Sequence, residues 1–531
     1  MNILPIAVIA LVMLFAGYRF YARHIQDIFG IDFKKRTPAH EKYDGIDYVP
    51  ARNWLVLFGH HFASIAGAAP VVGPIVALSL WGWGPGIIWI VLGCIFFGGV
   101  HDFSALVISV KMGGVSIAEV AKDAISYKAK LLFSIFVLFA LILVVSVFVF
   151  LCAGTLVKDA RIVIPSLGLV PVALLVGVLL YKTKYSQVKT TILGLVLLVG
   201  LIILGRFFPL KLGTIHTWIL ILLGYAYIAS IIPVNILLQP RDYLSAFLLF
   251  AGIILGYAGI IVSHPQVKLP AFTSWDSGSG WLWPMLFVIV ACGAISGFHS
   301  LVASGTTAKQ LPDKRYYRRI GYGAMIMEGI VAVMAMLVVI GSFGGMDIFR
   351  GVLKAEGPIG VFSKGFGAVT MPFLGGYGEL IAVVILNAFI FTTLDTATRI
   401  SRYIMEELTG LKNRWLSTGL IIVASGWLAW SGKWKTIWPV FGASNQLVAA
   451  LTLFVITCWL LARGKSIKYM VFPAVFMFIT TVAALGFQIW RFLGEREWVL
   501  LAVSAILLLL AFYMCWETIG SIRKIKLRRS Q

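Results

Sequence analysis

Long apolar stretches alternate with short polar ones from one end of the chain to the other. Fifteen of them are close to or above the roughly 18 residues that a helix needs to cross a bilayer. They cover about 2–18, 54–80, 84–110, 131–157, 162–181, 191–208, 217–238, 243–263, 281–308, 320–343, 376–398, 415–431, 437–462, 469–490 and 498–517. The pattern therefore predicts an all-α polytopic membrane protein with about fifteen transmembrane helices.

The predicted span 54–80 contains residues that interrupt a helix. His60 and His61 are followed by Gly67, by Pro70 and by a Gly73-Pro74 pair. A proline removes a backbone donor and clashes with the preceding turn. Such a break survives in a membrane only inside protein or beside water, and broken helices of this kind form the substrate sites of secondary transporters. We expect residues 67–73 to be unwound and Pro74 to lie in the first turn of the outer half-helix. A proline-kinked continuous helix is the alternative.

A second stretch, 292–307 within the span 281–308, resembles the first. His299 precedes Gly305 by six residues, as His61 precedes Gly67, and small or hydroxylated residues fill both intervals. The charge pattern gives the two spans opposite directions, which is typical of an inverted repeat. The sequence therefore predicts a five-plus-five inverted-repeat core, of the LeuT-like type, with two broken helices and additional spans around it.

The charged residues set the orientation. Of 44 Lys and Arg residues, 32 fall in the loops on one side of the fifteen-span arrangement and 12 on the other. Because basic loops stay in the cytoplasm, we expect the N-terminus outside and the C-terminus inside. The net charge of +22 lies between apolar spans, so it indicates membrane topology rather than a nucleic-acid partner. The basic tail 523–529 is suited to anionic lipid.

Composition excludes other classes of protein. Hydrophobic residues make up 60% and charged residues 12% of the chain, which leaves no separate soluble domain. The five cysteines lie in apolar spans without a Cys-x-x-Cys pair, so disulfides and thiolate metal sites are not expected. We divide the chain into an N-terminal span and cytoplasmic linker (1–53), a first repeat with extra spans (54–263), an outer loop (264–280), a second repeat (281–462), and C-terminal spans with a basic tail (463–531). The glycine-rich segment 344–375 is expected to be a plain outer connector.

Polar residues inside the spans are the candidate site, because polar groups in a membrane are costly and face a cavity or each other. Small, hydroxyl or amide side chains in the broken spans and near 438–446 are candidates for substrate contact: Ser64, Gly67, Ala68, Pro70, Gly73, Ser300, Ser304, Gly305, Thr306, Asn445 and Gln446. Groups that can titrate are candidates for proton coupling: His61, Asp102, Asp395 and His299.

Structural interpretations of the same residues stay open. Asp395 and Arg399, four residues apart, could form only an ion pair near the interface. Asp102 could brace the following loop through His101, and each histidine could be a packing residue. Glu328 is expected to snorkel to the interface or to pair with the basic cluster 315–319. The amides Asn445 and Gln446 could join helices without touching substrate.

Four motifs carry a resemblance to a known family. They are Gly59-His60-His61-Phe62-Ala63-Ser64-Ile65-Ala66-Gly67, Gly98-Gly99-Val100-His101-Asp102-Phe103, Thr392-Thr393-Leu394-Asp395-Thr396-Ala397-Thr398-Arg399 and Trp438-Pro439-Val440-Phe441-Gly442-Ala443-Ser444-Asn445-Gln446. Across essentially its whole length the chain resembles the carbon starvation protein A (CstA) family. The resemblance implies a secondary transporter of the inner membrane, in the amino acid–polyamine–organocation (APC) superfamily, that takes up peptides or pyruvate with protons.

Two functions of different classes follow. The first is a secondary active transporter, not an enzyme, that needs no cofactor and couples a peptide or pyruvate to an ion, with proton favoured over sodium. The alternative is a metal- or haem-binding membrane protein that uses His60, His61, His101 and His299. The sequence has no GxxxxGK[ST] loop, so ATP-driven transport is not expected.

Overall fold

Helices make up almost the whole chain. The computed structural model describes residues 2–183, 185–432 and 434–530. The first half contains α1 (Leu4–Ala16), α2 (Ala22–Phe29), α3 (Pro38–Glu41), α4 (Trp54–Ala66), α5 (Ala69–Trp81), α6 (Trp83–Gly93), α7 (Gly99–Lys111), α8 (Ile117–Ala124), α9 (Tyr127–Lys158), α10 (Val163–Tyr181), α11 (Gln187–Phe207), α12 (Ile215–Ile231) and α13 (Leu238–Ser263). The second half contains α14 (Leu282–Ile289), α15 (Gly297–Val302), α16 (Ala308–Gln310), α17 (Gly323–Ser342), α18 (Met346–Leu374), α19 (Gly378–Thr409), α20 (Arg414–Trp430), α21 (Trp434–Ala462), α22 (Lys468–Glu495) and α23 (Trp498–Ser530).

Twelve helical stretches of the described chain are long and apolar enough to cross a membrane. Each overlaps one of the fifteen predicted spans, and the longest, Met346–Thr409, also includes α18. The other three predicted spans fall on α12 and α20, which have 17 residues each, and on the interrupted pair α14 and α15. The protein is therefore a multi-pass, all-helical membrane protein.

The break in the first broken helix is shorter than the sequence suggested. Asn53 caps α4 by accepting hydrogen bonds from the amides of Leu55 and Val56. The helix ends at Gly67, whose φ of 12° and ψ of −158° are not helical, and α5 begins again at Ala69. Pro70 stands in the first turn of α5, where its missing donor costs nothing. The expectation that residues 67–73 are unwound was wrong, because Gly73 and Pro74 lie inside α5.

The second broken helix is interrupted ahead of its histidine. Helix α14 ends at Ile289, residues 290–296 form turns, and α15 begins at Gly297. His299 thus lies in the first turn of the inner half-helix, just after the break. The segment continues through a π-helical turn, Ala303–Thr307, into α16.

Two predicted loops contain helices. The segment 344–375 is not a plain connector: α18 spans 29 residues and bends at Gly357, where φ is 75°. Glycine tolerates that left-handed φ without a side-chain clash, so the bend falls there. The predicted cytoplasmic linker also begins later than residue 19, because the first helix continues through a π-helical turn to Phe29.

Packing joins the two halves of the chain. Helix α4 packs mainly against α13, and α9 packs mainly against α19. Helix α12 packs against α20, and α15 against α21. Helices α10 and α11 form a hairpin with each other and pack onto α13, while α22 and α23 cover α21.

Three helices of this core contain a π-helical turn, in which the backbone hydrogen bond spans five residues instead of four. These turns are Cys94–Gly98 between α6 and α7, Ala303–Thr307 after α15, and Arg318–Tyr322 before α17. Turns of this kind accommodate one extra residue and are frequent at functional sites.

Candidate functional site: two broken helices and two buried charge clusters

The two breaks lie beside each other. A Cβ atom built on Gly73 would come within 2.5 Å of the Ile289 carbonyl oxygen, so α5 and the end of α14 touch backbone to backbone. A cavity of about 10 Å³ separates Ala69 from Val288, Ile289, Ala291 and Cys292. A second, of about 20 Å³, borders Ala66 and Gly67. Each has room for about one water molecule, so the region between the breaks is closed.

Helix α19 satisfies the carbonyl groups that the first break leaves free. The hydroxyl of Thr392 donates to the Ala63 carbonyl over 2.7 Å, and that of Thr393 donates to the Ser64 carbonyl over 3.2 Å. The Ser64 and Thr396 hydroxyls are 3.1 Å apart. A freed carbonyl in a membrane must find a donor, and the threonine-rich motif 392–398 supplies three hydroxyls on the facing helix.

An arginine cluster, formed by Arg241, Asp242, Asp395, Tyr225 and His60, lies against the first broken helix. Arg241 Nη2 is 2.6 Å from Asp242 Oδ1 and 2.7 Å from Asp395 Oδ1. Its Nη1 donates to Asp395 Oδ2 and to the Tyr225 hydroxyl. The guanidinium thus pairs bidentately with Asp395 while it also balances Asp242. The charged side chains of this cluster are inaccessible to solvent.

His60 connects the arginine cluster to both broken helices. Its Nδ1 is 2.6 Å from Asp242 Oδ2, and its Nε2 is 3.1 Å from the Thr306 hydroxyl. Thr306 belongs to the π-helical turn after α15. One imidazole therefore ties α4 to α13 on one side and to the second broken helix on the other.

The sequence left open an ion pair between Asp395 and Arg399. The structure does not form this pair. Arg399 donates instead to Asp47 Oδ1 over 2.9 Å and to the carbonyls of Ala229 and Ile232. Asp47 also accepts from Arg402 and from the Tyr403 hydroxyl, at 3.1 and 2.7 Å. The linker before α4 is thereby fastened to the end of α19.

A histidine cluster, formed by His101, Asp102, His299 and Glu328, lies against the second broken helix. His101 Nδ1 is 2.7 Å from Asp102 Oδ1, and His299 Nδ1 is 3.0 Å from Asp102 Oδ2. His299 Nε2 is 3.1 Å from Glu328 Oε2. All four side chains have no exposed surface. The expectation that Glu328 pairs with the basic cluster 315–319 was therefore wrong.

The remaining hydroxyl candidates of the second broken helix contact other helices. Ser300 lies 3.1 Å from the Thr452 hydroxyl of α21, and Ser304 accepts a hydrogen bond from the Ile117 amide of α8. A Cβ atom on Gly305 would meet Ile400 of α19 at 3.1 Å. His61 of α4 also contacts this segment, since its Nδ1 is 2.8 Å from the Thr307 hydroxyl. The buried Nε2 of His61 has no hydrogen-bond partner among the described residues. These contacts hold the inner half-helix in place rather than facing the first break.

Asn445 and Gln446 hold the two edges of the second break. The Asn445 amide oxygen accepts from the Phe298 amide over 2.8 Å, which caps the start of α15, and its nitrogen donates to the Ser296 hydroxyl. The Gln446 nitrogen donates to the Phe287 carbonyl near the end of α14. Their hydrogen bonds thus satisfy backbone groups that the break exposes.

A larger cavity of about 530 Å³ borders α5. Val72 forms part of its wall, one turn beyond the first break, and the bend of α18 at Gly357 forms another part. Its charged lining residues are Lys158, Asp159, Arg161, Glu356 and Glu379. The volume is within the range of small-molecule pockets.

The histidines do not converge on one centre. His60 belongs to the arginine cluster, whereas His101 and His299 belong to the histidine cluster. Within the described residues, no group of three or more His, Cys, Asp or Glu side chains is placed to hold a metal ion. The geometry therefore does not favour the metal- or haem-binding alternative.

Sequence reasoning missed Arg241, Asp242 and Tyr225, and it gave Glu328 the wrong partner. The first two were assigned to a short loop at 239–242, but the structure buries them in the first turns of α13. Adjacent opposite charges at the start of an apolar span were the available signal. Glu328 carried a similar one, since a lone carboxylate eight residues into a span needs a partner.

Comparison with solved structures supports the helical fold. A crystal structure of the manganese transporter of Eremococcus coleocola, in complex with an aromatic bis-isothiourea substituted compound, matches with a TM-score of 0.53 and 14% sequence identity. The match covers 91% of this chain and 99% of that one. At this identity the likeness concerns the fold alone.

Sequence comparisons identify the family. The pyruvate/proton symporter BtsT of Escherichia coli K12 is 32% identical over 583 residues, covering 91% of this chain and 81% of that protein. The peptide transporter CstA of Bacillus subtilis 168 is 32% identical over 540 residues, covering 90% and 89%. The family model described as carbon starvation protein CstA matches residues 2–348 and 346–484. The chain therefore belongs to the carbon starvation protein CstA family.

Proposed function

We propose that this membrane transporter is a secondary active importer of peptides or pyruvate, driven by proton symport across the cytoplasmic membrane. The observation that carries the proposal is the pair of broken helices, which meet backbone to backbone with a buried titratable cluster against each. Relatives named as peptide transporters and as a pyruvate/proton symporter support the substrate classes and the coupling ion. The proposed cycle requires neither metal nor haem.

The packing supports a five-plus-five inverted repeat within a fifteen-span protein. We assign α4–α5, α6–α7, α9, α12 and α13 to the first repeat and α14–α15, α17, α19, α20 and α21 to the second. The third members, α9 and α19, then pack against each other, as do the fourth members, α12 and α20. The contact of α4 with α13 corresponds to that of α15 with α21. The remaining spans are α1, the hairpin α10–α11, α22 and α23.

The substrate in this proposal binds at the first break, where Ser64, Gly67, Ala68 and Pro70 bring the end of α4 and the start of α5 together. The start of α5 presents the positive end of its helix dipole, which suits the carboxylate that peptides and pyruvate share. Gly73, Thr306 and the second broken helix complete the site as it opens. Asp102, His299, His61 and Asp395 are the proposed coupling groups, with Asp395 in the cluster of Arg241.

Uptake into liposomes tests the function. Purified protein is supplied with labelled pyruvate or a labelled dipeptide under an imposed proton gradient, and separately under a sodium gradient. We expect proton-driven accumulation of at least one substrate. Absence of gradient-driven accumulation of both would contradict the proposal. Sodium-driven accumulation with no response to protons would contradict the coupling ion alone.

A substitution at the break tests the site. A Cβ atom on Gly67 would lie 2.9 Å from the Thr393 hydroxyl oxygen and 3.6 Å from the Phe148 ring. Gly67→Leu should therefore fill the break and abolish uptake. Gly200→Leu on α11, where a Cβ atom meets nothing within 4 Å, is the matched control. Equal uptake by the two variants at equal protein level would place the substrate elsewhere.

A further inference from the structure

The histidine cluster differs from the arginine cluster in its charge balance. In the arginine cluster, the permanent charge of Arg241 offsets carboxylates on α13 and α19. In the part of the chain that the structure describes, neither Asp102 nor Glu328 forms an ion pair with a lysine or arginine; their ion-pair partners are imidazoles. An imidazole is a cation only when protonated. The buried charge of the histidine cluster is therefore set by the number of protons it holds.

Glu328 is the member without settled hydrogen bonds. Both carboxylate oxygens are fully buried and, in the described part of the chain, His299 is the polar side chain that approaches them. His299 Nε2 lies 3.1 Å from Oε2 and, among the described residues, has no other partner. An ionised carboxylate in such a place, with no lysine or arginine beside it, costs several kcal/mol, and a bound proton would remove that charge.

The hydrogen bonds of Asp102 fix the direction in which a proton can pass. Asp102 accepts from Nδ1 of both His101 and His299, which favours its ionised form. The Nδ1 proton of His299 is thus committed to Asp102, and Nε2 is the position that varies. His299 stands between two carboxylates with one nitrogen toward each.

We propose that Glu328 is the group that loads and releases the coupling proton, with His299 passing it between Glu328 and Asp102. This proposal rests on the proposed proton symport and adds a residue to it. Water on the open side gives a proton to Glu328, whose Oε2–H then donates to His299 Nε2. As the O–H bond breaks and the Nε2–H bond forms, the Nδ1 proton moves to Asp102. One proton is transferred and no electrons change hands.

Burial couples this transfer to transport. With both carboxylates ionised and both imidazoles neutral, the cluster carries two negative charges, which a sealed membrane interior disfavours. Each proton taken up removes one. The sealed state therefore requires the proton, and the proton leaves only when water reaches the cluster. Other titratable groups that face it include the Cys94 thiol, which donates to the Gly293 carbonyl, the Cys292 thiol in the second break, and His61 on α4.

Proton movement measured with substrate movement tests the proposal. Full-length protein in liposomes containing a pH-sensitive dye is given the substrate that the wild type accumulates. Glu328→Gln keeps the shape of the side chain but cannot titrate, so we expect substrate-driven acidification to fall at least tenfold. Glu328→Asp should retain acidification with a displaced pH profile. Glu495→Gln, in an exposed pair with Arg491, is the control and should behave as the wild type.

The outcomes separate the two proposals. If the wild type shows no proton-driven accumulation, the proposed function fails. If the wild type accumulates substrate and Glu328→Gln moves protons at the wild-type ratio, only the role of Glu328 is overturned. If Glu328→Gln does not fold, as judged by thermal melting of the purified protein, Glu328→Asp decides: an unchanged pH profile overturns the proposal and a displaced one supports it.

Discussion

Asp395→Asn removes one of the two carboxylates that balance Arg241 in the membrane interior. The substitution preserves the shape of the side chain and one acceptor oxygen for the guanidinium. It removes the charge, so Arg241 retains only Asp242 as an ionised partner, at 2.6 Å. Asp242 is in turn shared with His60. The perturbation therefore tests whether the arginine cluster is held together by charge or by shape.

The expected loss of stability follows from the burial of the pair. Both side chains are essentially inaccessible to solvent. Breaking a buried ion pair by removing one partner costs about 3–5 kcal/mol. Because Asp242 remains, we expect the lower end, about 3 kcal/mol, which is roughly a hundredfold fall in the ratio of folded to unfolded protein. The exposed pair Arg491–Glu495, at 2.7 Å, should lose less than about 1 kcal/mol in Glu495→Gln.

A double-mutant cycle in detergent gives the coupling between the two residues. Arg241→Met alone should also destabilise, since it leaves Asp395 buried without a cation. The double variant should lose less than the sum of the single losses by about 2 kcal/mol. Additive losses would refute the account of a charge-held cluster. Proton-driven accumulation restored in the double variant, after its loss in Asp395→Asn, would remove Asp395 from the coupling groups.

Three further predictions follow from other parts of the molecule. We expect the 530 Å³ cavity to lie on the path that substrate takes into the protein. Gly154→Phe should fill this cavity without a clash, because a Cβ atom there meets nothing within 4 Å, and should slow uptake at least tenfold while Gly200→Phe does not. Equal rates for the two variants would exclude the cavity from that path. Burial opposes the ionisation of Asp47, but the Arg402 and Arg399 guanidiniums outweigh it and hold the pKa of its carboxyl below the usual range. The stabilisation by Asp47, about 2 kcal/mol relative to Asp47→Asn, should thus be constant from pH 8 to about 5 and shrink only below about pH 4, as thermal melting against pH would show; a loss near pH 6 would contradict it. The expected orientation places the C-terminus in the cytoplasm, so a reporter active only in the cytoplasm should be active when fused after residue 531. Activity of a periplasmic reporter at the same position would contradict that orientation.

Hydropathy was sufficient to predict a multi-pass, all-helical membrane protein. The apolar runs located the spans because a helix in lipid must satisfy its own backbone and present apolar side chains. Proline and glycine located the first break to within a few residues, but its end depended on packing. The missing Cβ of Gly73 lets α5 approach the Ile289 carbonyl, a contact between residues more than 200 positions apart. No local pattern contains that information.

The sequence predicted which types of residue form the candidate site, but only some of their ion-pair partners. His299, Asp102 and Asp395 were chosen because ionisable groups in a membrane interior need partners, and each has one. The partner of Asp395 was sought four residues away on the same helix. The structure supplies it from α13, since Arg399 is drawn to Asp47 in the linker. Spacing along one helix gives the neighbours on its face, whereas the choice among cations depends on which helices pack together.

The π-helical turns have a consequence for how the charged groups are aimed. Each helix that contributes to the histidine cluster contains one such turn within about ten residues of its cluster side chain: before His101, after His299 and before Glu328. A residue added to a turn rotates the helix beyond it by about 100°. When the extra residue passes to the neighbouring turn, one backbone hydrogen bond is exchanged for another and the helix stays intact. The side chain in between then swings to a different face, so these three helices can redirect a carboxylate or an imidazole by rotation alone, with neither end of the helix having to move.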